Sequence, residues 1–242
     1  MGQRPRVELT MEELSIRWIG QSGYLLRGGD TVICLDPYLS DAVERVAGRK
    51  RMVEPPFPPE ELRCDAVVCT HDHLDHLDID AIPRMHKEDM LFLAPTHARE
   101  TLASCGVTQY LPFDEGASYK VGDFRLTAVF ADHTVPAVGV IVEYRGLSLY
   151  FSGDTEYHER LTKVGRGIDM MLVCINGKLG NMTAEEAVGL TEAIAPRVGI
   201  PTHYGMFSSN TVDPQEYLAK IENSFELQYN VEYSIKEILK NV

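Results

Sequence analysis

The stretch "DAVVCTHDHLDHLD", residues 65–78, constrains this chain more than any other. Its first half is a short, continuous apolar run and reads as a strand covered on both faces. Its second half carries His71, His73, Asp75 and His76 in the order H-x-H-x-D-H. A helix would send residues 71 and 73 to different faces, and a strand would separate 75 from 76. The pattern therefore belongs on a turn leaving the strand, where the backbone can wrap side chains around a point. Imidazole and carboxylate together suit a borderline divalent ion such as zinc, with manganese or iron as further options. Two groups of ligands allow two ions, with His71 and His73 on the first and Asp75 and His76 on the second. A solvated polar loop would account for one histidine, not for three and an aspartate within six residues.

Such a site needs ligands from other segments, and the chain has only eight histidines. His133 follows the run "FRLTAVF", Asp154 follows "LSLYFS", and His203 follows "RVGIP". Three ligand-type residues thus stand at three more strand ends, along one rim. His86 and His97 read as ordinary solvated side chains, and His158 as a helix-surface residue.

The remaining pattern supports a rim of that kind. Strand-like runs occur at 14–19, 24–28, 31–36, 65–70, 91–95, 124–130, 138–144, 147–152, 169–175 and 197–201. "EYRGLSLYF" reads as a hairpin with Arg145-Gly146 at its turn. Three helices are marked. One spans 96–104, with Thr96 as cap and Gly106 as stop. One begins at Thr183 with Glu186 completing a capping box, and one at Asp213 with Pro214 in the first turn. Strands early and helices later predict an α/β (α+β) fold with two mixed sheets face to face and helices outside. A chain of 242 residues, 44% hydrophobic, can build one sizeable core, so a single domain over 1–242 is expected. The proline-dense loop 53–62 is expected to cover a surface or border a site.

Composition narrows the partners. Thirty-six acidic against 23 basic residues give a net charge of −13, which repels nucleic acid and anionic membranes. A local cation can still invert the sign inside one cleft, so a small anionic substrate is compatible. The five cysteines form no CxxC pair and mostly sit in apolar runs, which predicts buried thiols and a cytoplasmic location. Neither a signal-type apolar segment near the start nor a membrane-spanning run is seen.

The motifs "WIGQSGYLL", "THDHLDHLD", "YFSGDTEYH", "CINGKLGNMTAEEA" and "PTHYGMFSSNTVDPQEY" resemble the metallo-β-lactamase fold superfamily. Within it the chain is most similar to the L-ascorbate-6-phosphate lactonase family, as a short member. The resemblance implies a four-layer αββα sandwich. It implies that His71, His73 and His133 bind a first ion, that Asp75, His76 and His203 bind a second, and that Asp154 bridges them. It also implies a hydrolase in which ionised water opens a small lactone or ester, a phosphorylated sugar-acid lactone such as L-ascorbate 6-phosphate being the family's substrate. Asp75, His76 and Asp154 are the residues expected closest to the chemistry.

Around that centre, Asp72 and Asp132 are candidates to orient ligand imidazoles. Asn176, Lys178 and Asn181 in "NGKLGNM" are candidate substrate donors, and Tyr204 is a candidate donor to a developing oxyanion. Gln21 and Ser22 read as a tight turn without chemistry. The rival readings are a phosphodiesterase or nuclease on the same fold, and a metal-holding binding protein without turnover. A true β-lactamase is disfavoured, because export would be expected. A homo-oligomer is compatible with the sequence.

Overall fold

The ten apolar runs all become strands. A computed structural model describes residues 14–165 and 167–242; the N-terminal stretch 1–13, read above as lacking an apolar segment, lies outside them. The first sheet has seven strands in the order β13-β1-β2-β3-β4-β5-β6. These are β1 (Ser15–Gly20), β2 (Gly23–Gly28), β3 (Thr31–Leu35), β4 (Ala66–Val68), β5 (Leu91–Ala94), β6 (Tyr110–Pro112) and β13 (Glu232–Ser234). The second has six, in the order β12-β11-β10-β9-β8-β7. They are β7 (Ser118–Val121), β8 (Phe124–Phe130), β9 (Val138–Tyr144), β10 (Leu147–Phe151), β11 (Met170–Cys174) and β12 (Val198–Thr202). Each sheet is antiparallel on one side and parallel on the other. The continuous runs "AVV" and "MMLVC" lie in the parallel parts and are fully buried, as parallel strands covered on both faces require.

The sheets pack face to face. Ile16, Leu26, Ile33 and Val68 of one meet Leu126, Val140, Leu149 and Leu172 of the other in one core. Helix α3 (Ala184–Ile194) buries Ala187, Val188, Leu190 and Ile194 into that cluster from outside the second sheet. On the far side of the first sheet, Val67, Phe92 and Ala94 pack against Leu77, Ile82 and Leu102, the last from α2 (Arg99–Ser104). The result is the four-layer arrangement of helix, sheet, sheet and helix.

Local details test the turn and cap chemistry. Arg145 and Gly146 both have positive φ, at 45° and 87°, the geometry of a two-residue hairpin turn. The capping box is present: Thr183 Oγ1 accepts from Glu186 N at 3.2 Å, and Glu186 Oε2 accepts from Thr183 N at 2.8 Å. Two helix starts need correction. Thr96 caps nothing; its hydroxyl donates to Asp114, and α2 begins at Arg99 after a 3-10 turn. Asp213 does accept from Gln215 N, at 3.0 Å, but the helix it starts, α4, covers only Gln215–Leu218.

The sequence reading missed β6, β7 and β13, and also α1 (Ala42–Ala47) and α5 (Ile235–Ile238). All three strands lie on sheet edges. These three are short and largely uncovered, so the period-two signal is faint, whereas the fourth edge, β12, is buried throughout and was read. Cys34, Cys69, Cys105 and Cys174 are buried, Cys64 half-buried, and all five are free. No helix among the described residues is long and apolar enough to cross a membrane.

Candidate metal centre

The sheets deliver their strand ends to one place. After β4 the chain makes a single helical turn, with His76 N and Leu77 N both donating to His73 O, at 3.0 and 2.8 Å. That turn holds His71, His73, Asp75 and His76 beside the ends of β8, β10 and β12. There His133, Asp154 and His203 wait. His73 Nδ1 lies 3.0 Å from His71 Nε2 and 3.1 Å from His133 Nε2. His76 Nε2 lies 3.3 Å from Asp154 Oδ1, and His203 Nε2 lies 3.1 Å from Asp154 Oδ2. Asp75 Oδ2 is 3.9 Å from His76 Nε2 and 3.7 Å from His203 Nε2. Three clusters result, each with ligand atoms within 4.8 Å of one another: His71/His73/His133, His71/His76/Asp154 and Asp75/His76/His203.

These residues fit divalent ions on chemical grounds. Three imidazoles turn ring nitrogens toward one another, an arrangement that a shared cation resolves and that two protons cannot. His76 Nε2 and Asp154 Oδ1 are both buried and lack a hydrogen-bond partner. Asp154 lies between the two groups: its oxygens approach His76 and His203 of one, and Oδ2 is 4.0 Å from His133 Nε2 of the other, a position suited to a carboxylate shared by two ions. Burial, reinforced by the neighbouring imidazoles, holds the pKa values of His71 and His73 below the ordinary range, so both are neutral and able to ligate. At His76 burial acts in the same direction, but Asp154, Asp36 and Asp75 together outweigh it and push the pKa well up. Three carboxylates around one buried imidazole leave negative charge for a cation to balance.

Several groups bracing the ligands escaped sequence reading. Asp36, at the end of β3, accepts from His76 Nδ1 at 2.8 Å. It also accepts from Thr70 N and Thr70 Oγ1, both at 2.7 Å. The Thr70 oxygen, its proton given to Asp36, is 3.1 Å from His71 Nδ1 and takes that proton. One buried carboxylate therefore fixes His76 directly and His71 through Thr70, leaving each Nε2 for an ion. Gln21 Nε2 donates to Asp75 Oδ2 at 2.7 Å, so the turn read as chemically idle orients a ligand. Gly180 O accepts from His133 Nδ1 at 2.8 Å. Asp36 was discoverable, because it ends the run "TVICLD" just as the ligands end theirs; Gln21 left no such signal.

Backbone geometry marks the same spot. Among the described residues seven non-glycine residues have positive φ, and Gln21 (52°), Asp36 (41°), Leu179 (58°) and His203 (63°) are four of them. This left-handed conformation is costly for residues with a Cβ and gathers at functional sites.

The other predicted residues fall as follows. Asp72 pairs with the exposed His97 at 3.2 Å rather than with a ligand imidazole, so the reading of Asp72 is corrected. Asp132 is exposed, and its backbone carbonyl, not its carboxylate, is engaged, accepting from Glu156 N at 2.7 Å. Asn181 Nδ2 donates to Asp154 Oδ2 at 2.8 Å and to Asn176 Oδ1 at 3.0 Å. Asn176 Nδ2 donates to Asn210 Oδ1 at 2.8 Å, and Lys178 Nζ reaches Ser209 O at 3.2 Å. All three "NGKLGNM" donors are thus engaged within the protein. Tyr204 is buried with its ring 5.1 Å from that of Trp18, and burial pushes its hydroxyl pKa up. His86 is exposed, and His158 accepts from Arg160 N at 3.0 Å, capping a 3-10 turn.

Two mixed sheets with a histidine and aspartate cluster on their shared rim define a class. The sequence model of the beta-lactamase superfamily domain matches residues 31–204, well over half of the chain, and the chain belongs to this superfamily. Among its relatives, a UPF0173 protein of Pyrococcus furiosus is 27% identical over 212 residues, 86% of this chain and 91% of that protein. A UPF0173 metal-dependent hydrolase of Archaeoglobus fulgidus is 28% identical over 220 residues, 84% of this chain and 89% of that protein. Among solved structures, Igni18, a novel metallo hydrolase from Ignicoccus hospitalis, matches with a TM-score of 0.73 at 23% identity. The match covers 91% of this chain and 98% of that one, and it speaks for the fold.

Proposed function

We propose that this chain is a metal-dependent hydrolase that opens the ester or lactone bond of a small anionic molecule. The observation that carries this reading is the convergence of seven ligand side chains, with Asp154 lying between His76 and His203 on one side and His133 on the other. His71, His73 and His133 would hold one divalent cation, zinc or manganese, and Asp75, His76 and His203 a second, with Asp154 between them. When bound, such a pair ionises water at neutral pH and polarises a carbonyl oxygen. The protein's part is positional. Asp36 keeps the Nδ1 proton of His76, Asn181 fixes one oxygen of Asp154, and Gln21 fixes Asp75. Asp75, half-buried on the cavity floor, is the carboxylate best placed to hold or pass on a proton at the reacting bond.

Size and charge support the substrate class. The cavity above the cluster is about 340 Å³, which suits a small molecule better than a polymer. The net charge of −13 works against an RNA or DNA substrate. The name of one relative, a metal-dependent hydrolase, supports the hydrolytic part of this reading. The test is to strip the protein with a chelator, reload it with zinc or manganese, and assay small lactones, carboxylate esters and phosphodiesters side by side. Metal-dependent turnover of lactones or esters is expected. Turnover confined to phosphodiesters would transfer the reading to a phosphodiesterase, and stoichiometric metal without turnover of any of the three would make it a binding protein.

A further inference from the structure

The cavity over the metal centre has two unlike sides. Its floor is His73, Asp75, Asp154 and His203. Its wall is apolar: Val43 and Ala47 from α1, then Leu74, Leu179 and Phe207. Leu179 is 53% exposed although apolar, and it stands on a left-handed backbone at the lip. Thr134, Asn210 and one cationic side chain, Arg49, complete the lining.

The neighbours of Arg49 show what is unusual about it. Arg45 forms a two-pronged pair with Asp80, at 2.7 Å for both contacts. Arg51 is buried and spends its guanidinium on the carbonyls of Val53 and Ser40 and on the Tyr38 ring. Arg49 has no hydrogen bond or ion pair among the described residues, and it is exposed at the cavity mouth. Gly48, with φ of 68°, ends α1 and turns the chain so that residue 49 reaches the cavity. A guanidinium left free in a strongly acidic protein, beside a floor that holds carboxylates, is placed to receive an anion.

We infer that Arg49 is a specificity-determining residue that receives the anionic end of an ester or lactone whose middle is apolar. The chemistry of the bond rests on the hydrolytic reading above; the recognition at its far end does not. Val43, Ala47, Leu74, Leu179 and Phe207 would cover a short hydrocarbon segment, with the ester at the floor and a carboxylate or phosphate at Arg49. A polyhydroxylated sugar would meet only Thr134 and Asn210 as neutral polar partners on this lining, and hydroxyls pressed on the apolar remainder would lose their water without replacement.

The experiment compares monomethyl glutarate, anionic at one end, with dimethyl glutarate, which is neutral. Binding to the zinc-loaded protein is measured by calorimetry, and turnover is followed separately. The intact protein should prefer the monoester by about tenfold, the scale of a charge-assisted hydrogen-bonded pair at a cavity mouth. Arg49→Ala should abolish that preference, and Arg49→Lys should keep part of it, with zinc content read by elemental analysis as the check on the centre. Leu179→Ser should weaken both esters by a similar few-fold factor. A preference that survives Arg49→Ala, or no preference in the intact protein, overturns the assignment. A preference abolished by Arg49→Ala without any turnover would sustain the anion subsite while sinking the hydrolase reading, so the two failures are distinguishable.

Discussion

The two halves of the ligand cluster are built differently. The half made by His71, His73 and His133 is all imidazole. Its outer supports are a threonine hydroxyl behind His71 and one backbone carbonyl behind His133. The half made by Asp75, His76 and His203 shares Asp154 and is surrounded by carboxylates, with Asp36 on His76 and Gln21 on Asp75. His76 and His203 are fully buried, whereas His73 is only half-buried. Burial does not divide the halves, since His71 is as buried as His76 and Asp75 as open as His73, but negative charge and its bracing concentrate in the second half. The comparison teaches that the second half should bind its ion more tightly and that the first should exchange with solvent more readily.

The hardest blow to that comparison is a change at the residue both halves share. Asp154→Asn removes a charge and half of a bridging function while keeping the side chain's shape. Both ions should loosen, and ester turnover should fall by roughly three orders of magnitude. Metal content after dialysis reads the first effect, and steady-state rates read the second. If one ion stayed at full occupancy, Asp154 would belong to one half alone. Next comes His73→Ala, which touches only the imidazole half. Elemental analysis should then drop from two ions to one, with turnover lost. Loss of both ions together would show that the halves are not independent.

A smaller effect is expected one layer out. Asp36→Asn preserves volume but weakens the acceptor for His76 Nδ1 and Thr70 Oγ1. Replacing such an outer partner costs about 10–100-fold in metal affinity. The loss should be larger for the ion held by His76 than for the one held by His71, because Thr70 stands between Asp36 and His71. Competition with a chelator, monitored ion by ion, distinguishes the two. Equal loosening would mean that Thr70 transmits the change undiminished.

What could be read in the sequence, and what could not, follows the same layering. Ligands advertise themselves because a histidine or aspartate directly after an apolar run has few other reasons to be there. His133, Asp154 and His203 were visible on those grounds, and the turn of 71–76 by its spacing. The ten strands read from the sequence, nine interior and the buried edge strand β12, were visible because burial on one or both faces imposes a pattern. Of the bracing layer only the position of Asp36 left a signal, and the roles of its members did not, because they depend on who stands opposite. Asp72 adjoins two ligands in sequence yet turns to His97, while Asp36 sits 40 positions from His76 and touches it. The edge strands β6, β7 and β13 and the short helix α1, which walls the cavity, carry little burial and so little pattern. Arg49 sits among three arginines that look equivalent until their partners are known.

The finest test of the comparison lies at Gln21. Its side chain reaches Asp75 Oδ2 at 2.7 Å, and its amide nitrogen is 3.1 Å from His203 Nε2, so it supports the carboxylate-rich half alone. Its backbone sits at φ of 52°, where glutamine is strained and asparagine is more at ease. Gln21→Asn therefore separates two effects that Gln21→Ala would mix. The shorter amide falls short of Asp75 by one methylene, which removes a hydrogen bond to a charged group worth about 1.5–3 kcal/mol at most. Asp75 is half-buried and partly hydrated, so the realised loss belongs at or below the low end, about a few-fold to tenfold in affinity for the second ion. The backbone meanwhile loses strain, so the metal-free melting temperature should hold or rise by a degree or two. A fall in metal-free stability with metal affinity unchanged would mean that Gln21 serves the fold of the β1–β2 turn and not the centre, and the claim that the second half is the more heavily braced would lose one of its two supports.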